Sequence, residues 1–139
     1  NPNSAWIVGR LGELHNFLGD SQKALEYQNR AKLLDPLLPG YCRELEAVAH
    51  YGLGNYNDTI SVVSQLLHKS QRSCAYQVAA LSHLDDVTAL NKAVEELLIS
   101  NPNFSIRNFL KTEFYKDEDI PRQLIIDLKK AGLPDTVTA

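Results

Sequence analysis

The stretch LGELHNFLGDSQKALEYQNRAKLLDP, Leu11 to Pro36, decides the fold. Up to Gly19, Trp6, Ile7, Leu11, Leu14 and Leu18 recur at intervals of about three to four, which predicts one apolar stripe on a helix. Leu18-Gly19-Asp20-Ser21 breaks that helix. Glycine takes the left-handed conformation that ends a helix at least cost, and Asp20 or Ser21 can cap the next one through a side-chain oxygen. A second helix follows to Leu34, with Ala24, Leu25, Ala31 and Leu34 expected against the first, the alanines small enough for the backbones to approach closely. Asp35-Pro36 stops it, because proline has no N–H to donate and clashes with the preceding turn.

The same grammar repeats downstream. Leu45, Val48, Ala49 and Leu53 form a first stripe, Gly54-Asn55-Tyr56 a turn, and Ile60, Val63, Leu66 and Leu67 an inward face on the helix after it. The closing proline is missing there, and the polar run His68 to Arg72 is expected to end the helix less sharply. In a third copy Ala75, Val78, Ala79, Leu81 and Leu84 precede Asp85-Asp86, and Leu90, Ala93, Val94, Leu97 and Leu98 precede Asn101-Pro102. Pro2, Pro36 and Pro102 therefore read as a ladder at a period of about 34 residues with one rung missing. The pattern predicts an all-α chain, an α-solenoid of three helical hairpins at about 4–36, 40–69 and 72–102 within residues 1–103. Residues 104–134 do not continue it. Phe104, Ile106, Phe109, Leu110 and Phe114 make a short helix or apolar patch. A last helix then carries Asp117-Glu118-Asp119 at its start and Lys129-Lys130 at its end, the charge order its dipole favours. Pro121 fits its first turn, and Ala131-Gly132-Leu133-Pro134 terminates it. This segment is expected to cap the exposed face of the third hairpin, with 135–139 as a disordered tail.

Composition narrows the function. The 139 residues carry 14 basic and 17 acidic side chains, a formal net charge of -3, with no Lys/Arg-rich run to attract nucleic acid or an anionic membrane. No apolar run approaches the ~20 residues that cross a bilayer. The chain starts at Asn1 and has no Met, as expected of a segment of a longer protein, with Pro2 closing a repeat that precedes it. Cys42 and Cys74 lack metal-ligand spacing and are expected as reduced, partly buried thiols.

Leu11-Gly12, Gly19, Ala24, Ala31 and Pro36 stand at the spacing of the tetratricopeptide repeat, which the chain resembles. The second unit matches at Gly54, Tyr56 and its apolar positions but has Thr59 for a small residue. The third matches at Pro102 and departs at Asp85 and Leu90. More narrowly, Asn1 to Trp6, Leu18 to Asp20, Ala24 to Glu26 and Lys130 to Pro134, with Phe114, Asp117 and Leu128, look like the C-terminal repeat region of bacterial signalling proteins. Those carry either a class III adenylate/guanylate cyclase or a winged-helix DNA-binding domain. The resemblance implies a cytoplasmic, regulatory or assembly role for this segment, with catalysis or DNA reading elsewhere.

In that fold the first helix of each hairpin lines a concave groove. The residues expected there are Trp6, Arg10, Glu13 and Asn16, then Tyr41, Glu44, Val48 and Tyr51, then Arg72, Ala75, Ala79 and Ser82. Aromatics beside arginine suit a protein or peptide partner, since they bury much area at little entropic cost. The partner is expected to be another protein, an attached domain of the same chain, or a second copy forming a homodimer. Packing of Trp6 and Tyr41 between repeats is the plainer alternative. Gly9, Glu13 and Leu45 stand where carboxylate-clamping arrays place Lys and Asn, which argues against such a clamp. A small-ligand sensor remains the second hypothesis, and a deep pocket lined by Trp6, Tyr41, Tyr51 and Arg72 would favour it. His15 and His50 share a register and read as packing residues with a satisfied ring nitrogen. No catalytic residue, cofactor or metal ligand is expected; Asp117 to Asp119 reads as helix-terminal charge, and no nucleophile, base and orienting group assemble at usable spacing.

Overall fold

A computed structural model describes residues 4–137, and their regular structure consists of eight helices. The chain is all-α. Hairpins form from α1 (Ala5–Phe17) with α2 (Ser21–Leu34), α3 (Gly40–Gly52) with α4 (Tyr56–Ser64), and α5 (Gln71–Leu81) with α6 (Val87–Ser100). Each helix packs on the next in the chain, and α3 also touches α1 and α5. The short α7 (Ile106–Leu110) follows, then α8 (Asp119–Lys130), which leaves this order and packs on α5 and α7. Asn1, Pro2 and Asn3, and with them the reading of Pro2, lie outside the described residues.

Local chemistry explains the turns. Gly19 (φ 85°) and Gly54 (φ 76°) take the left-handed conformation after α1 and α3. In the first turn the Asp20 N–H donates to the His15 carbonyl at 2.9 Å, and in the second the Asn55 N–H donates to that of His50 at 2.8 Å. The Asp20 carboxylate then accepts from the Lys23 N–H at 3.0 Å, and Asp86 does the same for Ala89 at 3.0 Å. The third turn needs no glycine, because Ser82 to Leu84 continue with right-handed geometry until Asp86 caps α6. Asp35-Pro36 and Asn101-Pro102 stop α2 and α6. Close packing of α1 on α2 rests on Gly12, where a methyl group would stand 3.2 Å from the Ala24 carbonyl and collide with the Gln28 amide. Ala24 is fully buried opposite it, and Ala31 is fully buried with Val8 further along the pair.

That approach overturns the expected stripe of α1. Val8, Gly9, Gly12 and Asn16 are its buried residues, whereas Leu11, Leu14, Leu18 and Trp6 lie exposed. Small residues let the helices close on that side, so the bulky leucines turn outward; Leu34 on α2 is likewise exposed. The second correction concerns α4, which ends at Ser64. Its last turn tightens, with the Gln65 and Leu66 N–H groups donating to the Val62 and Val63 carbonyls at 3.1 Å each. Leu66 is thereby carried inward and Leu67 out into solvent.

The main core joins α3, α5 and α6 to the C-terminal segment. Tyr76, Leu97, Ile106, Phe109, Leu124 and Leu128 are its largest fully buried side chains, and Phe104 and Leu133 close its edge. Each buried aliphatic or aromatic side chain there contributes roughly 1.5–3 kcal/mol. Ser105 caps α7 by accepting from the Asn108 N–H at 3.2 Å, and Gly132 (φ 93°) ends α8. The chain then returns to α7: the carbonyls of Pro134 and Asp135 accept from the Ile106 and Arg107 N–H groups at 2.9 and 3.0 Å. Asp135 is thus tied down rather than part of a free tail; residues 138–139 lie outside the described residues. Cys42 and Cys74 are buried, unpaired thiols, and burial pushes both thiol pKa values up.

Candidate functional site

The part of the α1–α3–α5 face around Phe17, Tyr51 and Arg72 is covered by the chain's own segment from Glu113 to Asp127. The Lys116 N–H donates to the Phe17 carbonyl at 2.8 Å, and the Tyr115 ring meets Phe17 edge-on at 5.0 Å between centroids. Arg72 reaches Glu113 with two nitrogens, Nε at 3.1 Å and Nη2 at 2.9 Å, and lies 5.5 Å over the Phe17 ring. Burial works against its charge, but Glu113 outweighs that and raises its pKa. The Tyr76 and Tyr115 hydroxyls pair at 2.6 Å.

A second polar cluster centres on Asp127. Its Oδ2 accepts from the Tyr51 hydroxyl at 2.5 Å and stands 2.7 Å from His83 Nε2, while Oδ1 accepts from Gln123 Nε2 at 2.8 Å. Tyr56 stacks on His83 with centroids 3.9 Å apart and planes 5° from parallel. Asp127 and Glu113 are buried carboxylates. A buried charge is tolerable only when such donors surround it. Burial, reinforced by the bond to Asp127, pushes the Tyr51 phenol far above its ordinary value. Burial does the same to Tyr76 and Tyr115. These groups hold helices together; each spends its polar atoms on a neighbour.

The residues expected in an open groove therefore divide. Asn16, Glu44, Val48, Tyr51, Ala75, Ala79 and Ser82 are buried. Asn16 donates to the Leu45 carbonyl at 3.1 Å, Ser82 to that of Ala79 at 2.7 Å, and Glu44 accepts from Ser70 and Ser73 at 2.5 and 2.8 Å. Helix register told which side they occupy but not what lies over it. Trp6, Arg10 and Tyr41 stay exposed, and Glu13 pairs with Arg10 at 2.9 Å. Nor do Trp6, Tyr41, Tyr51 and Arg72 share a pocket: Tyr51 and Arg72 lie beneath the C-terminal segment, and Trp6 and Tyr41 border two neighbouring surface grooves. His15 stacks on Tyr27 at 5.2 Å, as a packing residue does. His50 departs from its reading, since its Nδ1 is buried without a hydrogen-bond partner and only approaches Asp58 at 4.0 Å.

The side left open lies along the loops at one end of the hairpins. The α2–α3 loop and the α4–α5 loop frame a groove of about 610 Å3, lined by Leu37, Leu38, Tyr41, Arg43, Leu66, Leu67 and Lys69 among others. Among the described residues no group of three or more His, Cys, Asp and Glu side chains is placed to hold a metal, and no helix is long and apolar enough to cross a membrane. Glu113, His83, Tyr115 and Asp127 escaped the sequence reading. Asp127 had a signal: it falls between Leu124 and Leu128 on the buried stripe of α8, where a carboxylate must have a partner.

Comparisons of the chain with protein-family models, with curated proteins and with solved structures give no match.

Proposed function

We propose that this chain is a non-catalytic interaction and regulatory module of a larger bacterial signalling protein, built as three tetratricopeptide-like hairpins with a helical cap. It acts in the cytoplasm on a protein partner or on an attached domain such as a cyclase or DNA-binding domain. One observation carries the reading. Leu11 and Leu14 on α1 and Leu18 just after it are exposed, and so are Trp6 on α1, Leu34 at the end of α2, Leu37 in the α2–α3 loop, Tyr41 on α3 and Leu67 in the α4–α5 loop. Trp6 and Leu34 share one surface groove and Leu37, Tyr41 and Leu67 the next; exposed large apolar side chains gathered in this way suit a binding face, whereas single exposed leucines are ordinary. Residues from Glu113 to Asp127 occupy the Tyr51 and Arg72 part of the face where a groove was expected, so the partner surface is what stays exposed. Trp6, Arg10 and Tyr41, expected in that groove, belong to this exposed part.

The test is site-specific photo-crosslinking in the full-length protein inside its own cells. A benzophenone side chain replaces Leu14, Tyr41 or, as a control on an exposed polar site, Lys92. Discrete protein adducts are expected from positions 14 and 41 above the control. Equal or absent crosslinking at all three positions overturns the proposal.

A further inference from the structure

We infer that the groove between the α2–α3 and α4–α5 loops docks an acidic segment of a partner protein that carries two large apolar anchors; the inference rests on the interaction-module reading above. Leu37 and Leu67, 89 and 96 % exposed, stand on its two walls, and Leu38 and Leu66 form its floor. The leucines are not in solvent because the loops are loose. The Asp35 carboxylate accepts from the Leu37 N–H at 3.0 Å and its carbonyl from the Leu38 N–H at 3.1 Å. On the other wall the Gln65 and Leu66 N–H groups are bonded back into α4, and Arg43 Nη2 ties the walls together through Gln65 Oε1 at 3.3 Å. A groove held open in this way loses little entropy on binding. Its volume of about 610 Å3 suits a few side chains of a peptide.

Charge selects the occupant. Arg43 and Lys69 line the groove, whereas its acid Glu44 already accepts from Ser70 and Ser73 and lies 3.7 Å from Arg72. Glu46, beside Arg43, is engaged by Lys32 at 2.8 Å. Lys69 meets Glu96 only at 3.9 Å, and Arg43 Nε is buried without an acceptor among the described residues. On a chain of net charge -3 the groove is thus a positive, apolar exception. It complements carboxylates flanking leucine or aromatic side chains.

The test pans a phage-displayed random dodecapeptide library on the full chain and measures the enriched peptides by fluorescence anisotropy. Enriched sequences should combine Asp or Glu with two large apolar residues. Their affinity should fall at least tenfold in Leu67→Ser and in Arg43→Glu and weaken as salt rises, while Asn91→Ala, at an exposed site on α6 away from both surfaces, leaves it unchanged. Circular dichroism checks that the variants stay folded; Leu67, being exposed, can be changed without touching the core. Peptides that ignore the groove variants but are lost with Leu11→Gln/Leu14→Gln overturn the groove assignment and leave the interaction-module reading standing. Enriched sequences without acids, or preferential binding of a dodecathymidine oligonucleotide, overturn the acidic-segment inference. If nothing is enriched over an unrelated helical protein of equal charge, the groove assignment falls, and the photo-crosslinks decide the module separately.

Discussion

Raising the pH above 10 should unfold this protein cooperatively, because three phenols cannot ionise where they stand. Tyr51, Tyr76 and Tyr115 have folded pKa values raised above the ordinary value of 10, chiefly by burial. The sign follows from linkage. Below pH 10 both states keep these protons, and the stabilising packing is fully present. Above it the unfolded chain releases three protons that the folded chain retains, so stability falls as pH rises toward the folded values. The slope is about 1.4 kcal/mol per pH unit for each phenol, or roughly 4 kcal/mol per unit for three. Two units consume about 8 kcal/mol, within the 5–15 kcal/mol typical of a domain, so unfolding is expected between about pH 11 and 12. Of the tyrosinate absorbance near 295 nm from the six tyrosines, the share of Tyr51, Tyr76 and Tyr115 should appear only together with the loss of helical circular dichroism. Tyr51→Phe, itself costing about 1–3 kcal/mol by removing a donor from buried Asp127, should flatten the slope by a third. Ionisation of all six phenols with helicity intact would refute the burial argument.

Other substitutions separate core from surface. Arg72→Met should cost about 3 kcal/mol or more in urea denaturation, since it strands the buried Glu113 carboxylate, and Arg72→Met/Glu113→Gln should recover part of that loss. Gly12→Ala should destabilise by about 1–3 kcal/mol, as its methyl collides with Gln28 across the α1–α2 contact; an unchanged melting temperature would mean the helices can part freely. Leu124→Ala should cost about 2–5 kcal/mol, whereas Leu14→Gln, on an exposed face, should stay within about 0.5 kcal/mol in thermal melts. Tyr41→Ala and Tyr51→Ala should diverge likewise, the first leaving the melting temperature alone and the second lowering it.

What was legible in the sequence is what nearest neighbours along the chain decide. Gly19, Gly54, Asp20 and Asp86 fix turns through their own backbone freedom or carboxylates, and Pro36 and Pro102 stop helices whatever surrounds them. Side-chain direction was harder. On α1 the glycines won over the leucines because a close helix approach rewards absence of bulk, a choice that depends on Gln28 and Ala24 of another helix. The candidate site failed for the same reason at longer range: Tyr51, Val48 and Arg72 hold the expected register, but residues from Glu113 to Asp127 lie over that face. No periodicity within α3 or α5 encodes them. Leu67 shows the reverse case, since one lost helical turn after Ser64 moves a core position into solvent.

The covering segment also sets the order in which the molecule can be built. Hairpins that touched only their neighbours could fold one by one as they left the ribosome. Here the Tyr51 hydroxyl finds its acceptor 76 residues later, at Asp127, and the Phe17 carbonyl finds its donor at Lys116. Contacts of that separation slow folding, because the chain ends must meet before the pairing is rewarded. Until α8 emerges, Tyr51, Tyr76 and the inner face of α5 stay open to water and to chaperones.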